Sequence, residues 1–131
     1  MQFNDLIPEL SVSNISQSKA FYSDILGFDI VYERPEGKFC FLEQGGAQIM
    51  LEEKNGYWET GNLEYPLGRG INFQIGIDDI LPIYERLKAA RVALYQDLEI
   101  VKYRINDEFV HDKQFLVQDP DGYLLRFSME R

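Results

Sequence analysis

Gln114-Phe115-Leu116-Val117-Gln118-Asp119-Pro120-Asp121-Gly122-Tyr123-Leu124-Leu125-Arg126-Phe127 sets two apolar runs on either side of Asp-Pro-Asp-Gly. Pro120 fixes φ for a turn, and Gly122 takes φ > 0 without steric cost. The stretch therefore predicts a β-hairpin. Its second arm alternates. Leu125 and Phe127 point one way, and Leu124, Arg126 and Ser128 the other. An arginine in the middle of a closing apolar strand means one of two things. Either that face is solvated, or it lines something polar.

An earlier stretch repeats the pattern. Phe39-Cys40-Phe41-Leu42-Glu43-Gln44-Gly45-Gly46-Ala47-Gln48-Ile49-Met50-Leu51 is again an apolar run, a glycine turn and an alternating run. The segments upstream also match: Leu10 to Ile15 runs into a helical pattern, as does Ile75 to Ile80. Equivalent points lie about 65 residues apart, half the chain, which reads as an internal duplication. Each half reads strand, helix, strand, hairpin.

In order along the chain, Leu6 to Val12 is the first expected strand, with Leu6, Leu10 and Val12 on one face. Pro8 lacks an amide donor and marks an edge or bulge. Ser13, Asn14 or Ser16 caps a helix that carries Ala20, Phe21 and Ile25, and Gly27 ends it. Phe28 to Glu33 is a strand, Pro35-Glu36-Gly37 a turn, and Phe39 to Glu52 the first hairpin. Lys54 to Arg69 is a long loop rich in aromatic residues and glycine, either functional or a linker covering the core edge. Ile71 to Ile77 alternates as a strand. Asp78 or Asp79 caps a second helix with Ile80, Ile83, Tyr84 and Leu87 on one side, and Pro82 fits its first turn. Val92 to Leu98 leads into a strand. Ile100 to Asp112 reads as polar and irregular.

The alternations divide the strands into two faces. Leu10, Val12, Ile49, Leu51, Phe73, Ile75, Ile77, Leu125 and Phe127 form an apolar wall for the helices. Ile7, Glu9, Gln48, Met50, Asn72, Gln74, Leu124 and Arg126 form a mixed face. That second face is either a concave pocket with a few placed polar groups or a flat solvated surface.

A chain of 131 residues is long enough for one domain with its own core. An apolar share of 45% and an aromatic share of 14% exclude disorder. Thirteen basic residues against 22 acidic ones give a net charge of −9, which argues against nucleic acid as a partner. No apolar run reaches the length of a membrane span, and the first residues lack the basic region of a signal peptide. Cys40 is the single cysteine, so no internal disulfide is expected and a cytoplasmic setting fits. Cys40 lies between Phe39 and Phe41 without a neighbouring base and reads as an inert buried thiol. His111 lies beside Asp112, but neighbours in an extended segment point apart, which favours a surface histidine over a general base.

Two motifs carry a family resemblance: Ser18-Lys19-Ala20-Phe21-Tyr22-Ser23-Asp24-Ile25-Leu26-Gly27-Phe28, and Asp119-Pro120-Asp121-Gly122-Tyr123-Leu124-Leu125-Arg126-Phe127. In this order, with the duplication, the chain resembles the vicinal oxygen chelate superfamily of glyoxalase I, extradiol dioxygenases and fosfomycin and bleomycin resistance proteins. The second motif, with Gly68-Arg69-Gly70-Ile71-Asn72-Phe73, looks most like the bleomycin-resistance branch. The resemblance implies an α+β fold of two βαβββ modules in tandem, curled into a half-barrel sheet. It implies a single domain over 1–131, with module one at about 1–55, a linker at about 56–69 and module two at about 70–131.

In metal-dependent members, His and Glu on four strands hold a divalent ion. By motif position those places fall here at Ile7, Met50, Asn72 and Arg126, and none is a histidine or an acid. The expectation is therefore no metal, no cofactor and no catalytic residue. The branch implies instead a cytoplasmic homodimer that sequesters a drug-like, aromatic ligand in a cleft. Phe39, Phe41, Trp58, Tyr65 and Tyr103 are the candidate stacking residues, with Met50, Asn72, Glu9 and Arg126 lining the cleft. Glu9 suits positive charge, whereas Arg126 suits an anion or carbonyl, or an ion pair with Glu9. Two alternatives stay open: a metal-dependent lyase or dioxygenase with a displaced site, and an interaction module with a vestigial pocket.

Overall fold

The computed structural model describes residues 1–130. The chain divides into two compact units, Met1–Leu67 and Gly68–Arg131, each built on a four-stranded sheet.

In unit 1, β1 (Glu9–Val12) leads to α1 (Ile15–Ala20), then β2 (Asp29–Arg34), β3 (Phe39–Gln44) and β4 (Ala47–Glu53). The sheet order is β1-β4-β3-β2, with β1 parallel to β4 and the other pairs antiparallel. Asn14 caps α1, its side chain accepting from the Gln17 amide at 2.9 Å. The helix then widens into a π-turn over Phe21–Ile25. The Leu26 amide donates to the Phe21 carbonyl, and the Phe28 amide to the Tyr22 carbonyl. This wide turn seats Phe21, Tyr22, Leu26 and Phe28 in the core together with Leu10, Val12, Cys40, Leu42, Ile49 and Leu51. Each such side chain contributes about 1.5–3 kcal/mol on burial.

In unit 2, β5 (Asn72–Gly76) leads to α2 (Leu81–Ala89), then β6 (Gln96–Ile105), β7 (Glu108–Gln118) and β8 (Leu124–Glu130). The order β5-β8-β7-β6 repeats unit 1, again with the outer pair β5–β8 parallel. The Asp79 carboxylate accepts from the Leu81 amide at 3.1 Å, ahead of Pro82 in the first turn. Ile80, Ile83 and Leu87 bury with Ile75, Phe115, Val117, Leu125 and Phe127. Phe115 and Phe127 stack at 5.5 Å.

The Asp-Pro-Asp-Gly turn is held by Asp119. Its Oδ1 accepts from the Asp121 and Tyr123 amides, both at 2.9 Å. Gly122 takes φ 94. Tyr123 also explains Gly68, where φ is +71 and an added Cβ would meet the Tyr123 ring at 2.6 Å.

Three expectations need correction. The first strand begins at Glu9, not Leu6, and Leu6 is 84% exposed. Pro8 has no amide for the ladder, so only its carbonyl engages, accepting from the Met50 amide. Ile71 lies outside β5 and is likewise exposed. The segment from Ile100 to Asp112 is not irregular. It forms most of the long hairpin of β6 and β7, turning where Asn106 takes φ 55. Much of it is exposed on both faces, so it lacks the period-two apolar signal.

Candidate functional site

Each sheet buries one face against its helix; the other face is partly covered by the N-terminal segment in unit 1 and carries a cavity in unit 2. In unit 1 the register aligns Glu9, Met50, Phe41 and Tyr32 across β1, β4, β3 and β2. The next row holds Ser11, Glu52, Phe39 and Arg34. Phe39 and Phe41 are buried, with their rings already covered. Tyr32 stacks on Phe41 at 5.2 Å, and Phe3 meets Phe41 edge-on at 5.4 Å. The Arg34 guanidinium lies 4.0 Å from the centre of the Phe39 ring.

Phe3 is held there by Gln48, a contact the sequence did not announce. Gln48 accepts from the Asn4 amide at 2.7 Å and donates to the Gln2 carbonyl at 2.8 Å. Its Nε2 also donates to Glu43. The N-terminal segment is thereby tied across part of this face.

Burial pushes the Glu9 carboxyl above its ordinary value, the charge of Glu52 adds to the rise, and Arg34 opposes it. A carboxyl raised in the folded state stabilises the fold below its unfolded value of 4.5, and that contribution is lost as pH rises through the folded pKa. Glu9→Gln is therefore expected to melt at a higher temperature than wild type at neutral pH. The gap should close as pH falls to 4.5. Thermal melts across that range check it, and a gap independent of pH would contradict it.

The open face of unit 2 carries a connected polar network. Arg126 lies between Gln74 on β5 and Leu116 on β7. Its Nη2 donates to Gln74 Oε1 at 3.0 Å, and its Nη1 to the Tyr103 hydroxyl at 3.4 Å. That hydroxyl donates to Gln114 Oε1 at 3.1 Å, and Gln114 Nε2 donates to Glu99 at 3.4 Å. Gln74 Nε2 continues to the Ser128 hydroxyl at 3.2 Å. A cavity of about 270 Å³ opens here, lined in part by Asn72, Tyr95, Leu116, Leu124 and Arg126. Of the sequence-predicted site residues, Asn72, Tyr103 and Arg126 thus share one sheet, as do Glu9, Met50, Phe39 and Phe41 in unit 1. The sequence reading omitted Gln114 and Leu116. Alternation from Arg126 across the hairpin was the signal that could have found them.

Trp58 and Tyr65 lie in the loop after β4 and are exposed. Trp58 packs edge-on against Tyr57 at 4.5 Å. The Gly56 and Trp58 amides donate to the Glu59 carboxylate, and the Gly56 bond leads in holding its pKa down.

The four positions that the motif resemblance assigns to metal carry side chains whose chemistry does not suit a divalent ion. Ile7 offers no donor. Met50 offers a thioether, Asn72 a single amide, and Arg126 a like charge. Among the described residues, no three His, Cys, Asp or Glu side chains gather in a metal-binding group. Cys40 is fully buried, and burial pushes its thiol up to about 11. His111 is exposed on β7, opposite Lys102. Among the described residues no helix is long and apolar enough to cross a membrane.

Each unit is a βαβββ module in which the outer pair of strands is parallel. The profile of the Glyoxalase/Bleomycin resistance protein/Dioxygenase superfamily matches residues 6–127, and the chain belongs to that superfamily. A bleomycin resistance protein of Geobacillus stearothermophilus is 26% identical over 133 residues, covering 95% of each chain. The crystal structure of a superfamily member from Vibrio splendidus 12B01 is 41% identical, covering 94% of this chain and 95% of that one, with a TM-score of 0.45. A structure from the mobile metagenome of V. pseudocholerae is 22% identical over 98% of this chain and 96% of that one, with a TM-score of 0.69. The α+β fold of tandem βαβββ modules is the glyoxalase/bleomycin resistance fold.

Proposed function

We propose that the protein is a metal-independent small-molecule binder that sequesters a drug-like or aromatic ligand, with no catalytic step. It acts as a single domain of two modules and as a homodimer in the cytoplasm. The observation that carries this reading is the open face of unit 2. There, the place of a metal-binding acid is taken by Arg126, beside a cavity walled by Leu116 and Leu124. Apolar walls with a few fixed polar groups suit binding of an organic molecule, whereas the four metal places offer a divalent ion a single oxygen donor, the Asn72 amide. The bleomycin-resistance relatives support the same reading.

The test is calorimetric titration of chelator-treated protein with metal-free bleomycin, with Trp58 emission followed in parallel. Saturable binding with Kd of about 1 μM or tighter, unchanged by chelator, is expected. Silence in both readouts, or binding that requires added divalent metal, would overturn the proposal.

A further inference from the structure

We propose that Arg126 is an anion-recognition residue and that its cavity takes a carboxylate carried on a flat apolar body. This deepens the small-molecule-binding reading and rests on it. Arginine offers five N–H donors in a planar fork and stays charged. Among the described residues, the hydrogen-bond partners of Arg126 are both neutral: the Gln74 amide oxygen and, more weakly, the Tyr103 hydroxyl. Its Nε is buried without a hydrogen-bond partner. A half-buried cation surrounded by neutral acceptors keeps most of its charge uncompensated, and a buried donor left unmatched is costly. The cavity's one acid, Glu99, is already engaged by Gln114 and lies two hydrogen-bonded side chains away from the guanidinium.

The surroundings specify the rest of the ligand. Leu116 stands directly opposite Arg126 on β7, and Leu124 precedes it by two residues on the same face of β8. The Tyr95 ring, 64% exposed, lines the same cavity. A carboxylate fits the guanidinium fork, and a planar apolar body covers the leucines and meets the tyrosine ring. The volume of about 270 Å³ suits a fragment-sized group. An amine at this position would meet a like charge.

Nuclear magnetic resonance on ¹⁵N-labelled protein tests this through the Arg126 Nε–H signal and the amides of Leu116 and Leu124. The probes are benzoate, benzamide, benzylamine and inorganic phosphate. Benzoate is expected to shift all three signals saturably. It should bind about tenfold more tightly than benzamide, which keeps the shape but lacks the charge. Benzylamine should leave the signals unmoved. Phosphate should bind more weakly than benzoate, since it brings no apolar body. Arg126→Gln should lower benzoate affinity to that of benzamide while the remaining spectrum stays folded.

Benzamide or benzylamine binding as tightly as benzoate would overturn the proposal, as would benzoate leaving these signals unmoved. The benzoate–benzamide comparison uses wild-type protein and decides the matter even where Arg126→Gln fails to fold. Loss of the benzoate preference with bleomycin still bound would remove the carboxylate reading alone. Failure of every probe together with bleomycin would remove the binding function as well.

Discussion

Asp119→Ala is expected to lower stability by about 3 kcal/mol, whereas Asp119→Asn is expected to cost about 1 kcal/mol. Asp119 is 3% exposed, and one carboxylate oxygen accepts from two amides of its own turn. Its backbone completes the closure: its amide donates to the Tyr123 carbonyl, and its carbonyl accepts from the Gly122 amide. Alanine removes the shared acceptor and strands two donors. Asp121 and Tyr123 are themselves buried, so water is poorly placed to replace it. Asparagine keeps an oxygen in the same position and gives up the charge and the second acceptor oxygen. Urea unfolding of the three proteins measures both steps. Equal losses for alanine and asparagine would show that the charge, rather than the acceptor position, holds the turn.

That turn also shows why so much of the fold was readable from sequence. Pro120 and Gly122 restrict the backbone locally, and the flanking runs alternate with period two, so the hairpin follows from short-range chemistry. The duplication extends the reading to unit 1, where Gly45 takes φ 57 at the corresponding turn. Arg126 could be assigned to the open face by the same alternation. The outer part of the β6–β7 hairpin could not be read, because Ile100, Ile105 and Phe109 are exposed and the apolar pattern there has no buried side to follow. The π-turn at Phe21–Ile25 escaped for a different reason: one extra residue per turn leaves the apolar spacing nearly helical. At the candidate site, residue types were legible but their partners were not. Gln48 binding the N-terminal segment and Tyr103 linking Arg126 to Gln114 are contacts between distant positions, and local patterning carries no trace of them.

Phe41 brings that distinction to a measurement. Phe41→Ala is expected to cost about 3–5 kcal/mol, the range for deleting a buried aromatic ring. The side chain is 1% exposed, with Tyr32 stacked at 5.2 Å and Phe3 against it at 5.4 Å. Its loss would leave a cavity and release Phe3, loosening the segment held by Gln48. Circular dichroism follows the urea transition. Alanine alone would not separate a packing role from contact with a ligand, since an unfolded protein binds nothing. Phe41→Leu does separate them, because it keeps an apolar body and should cost less than about 1.5 kcal/mol where the site can repack. If Phe41 only anchors the N-terminal segment over this face, the leucine variant should bind metal-free bleomycin as wild type does, with only a lower urea midpoint. If the ring instead stacks on a ligand after Phe3 moves aside, affinity should fall while most of the stability remains. The covered ring favours the first outcome: a ligand would have to displace Phe3 and break the contacts that Gln48 makes with Asn4 and Gln2 before reaching it.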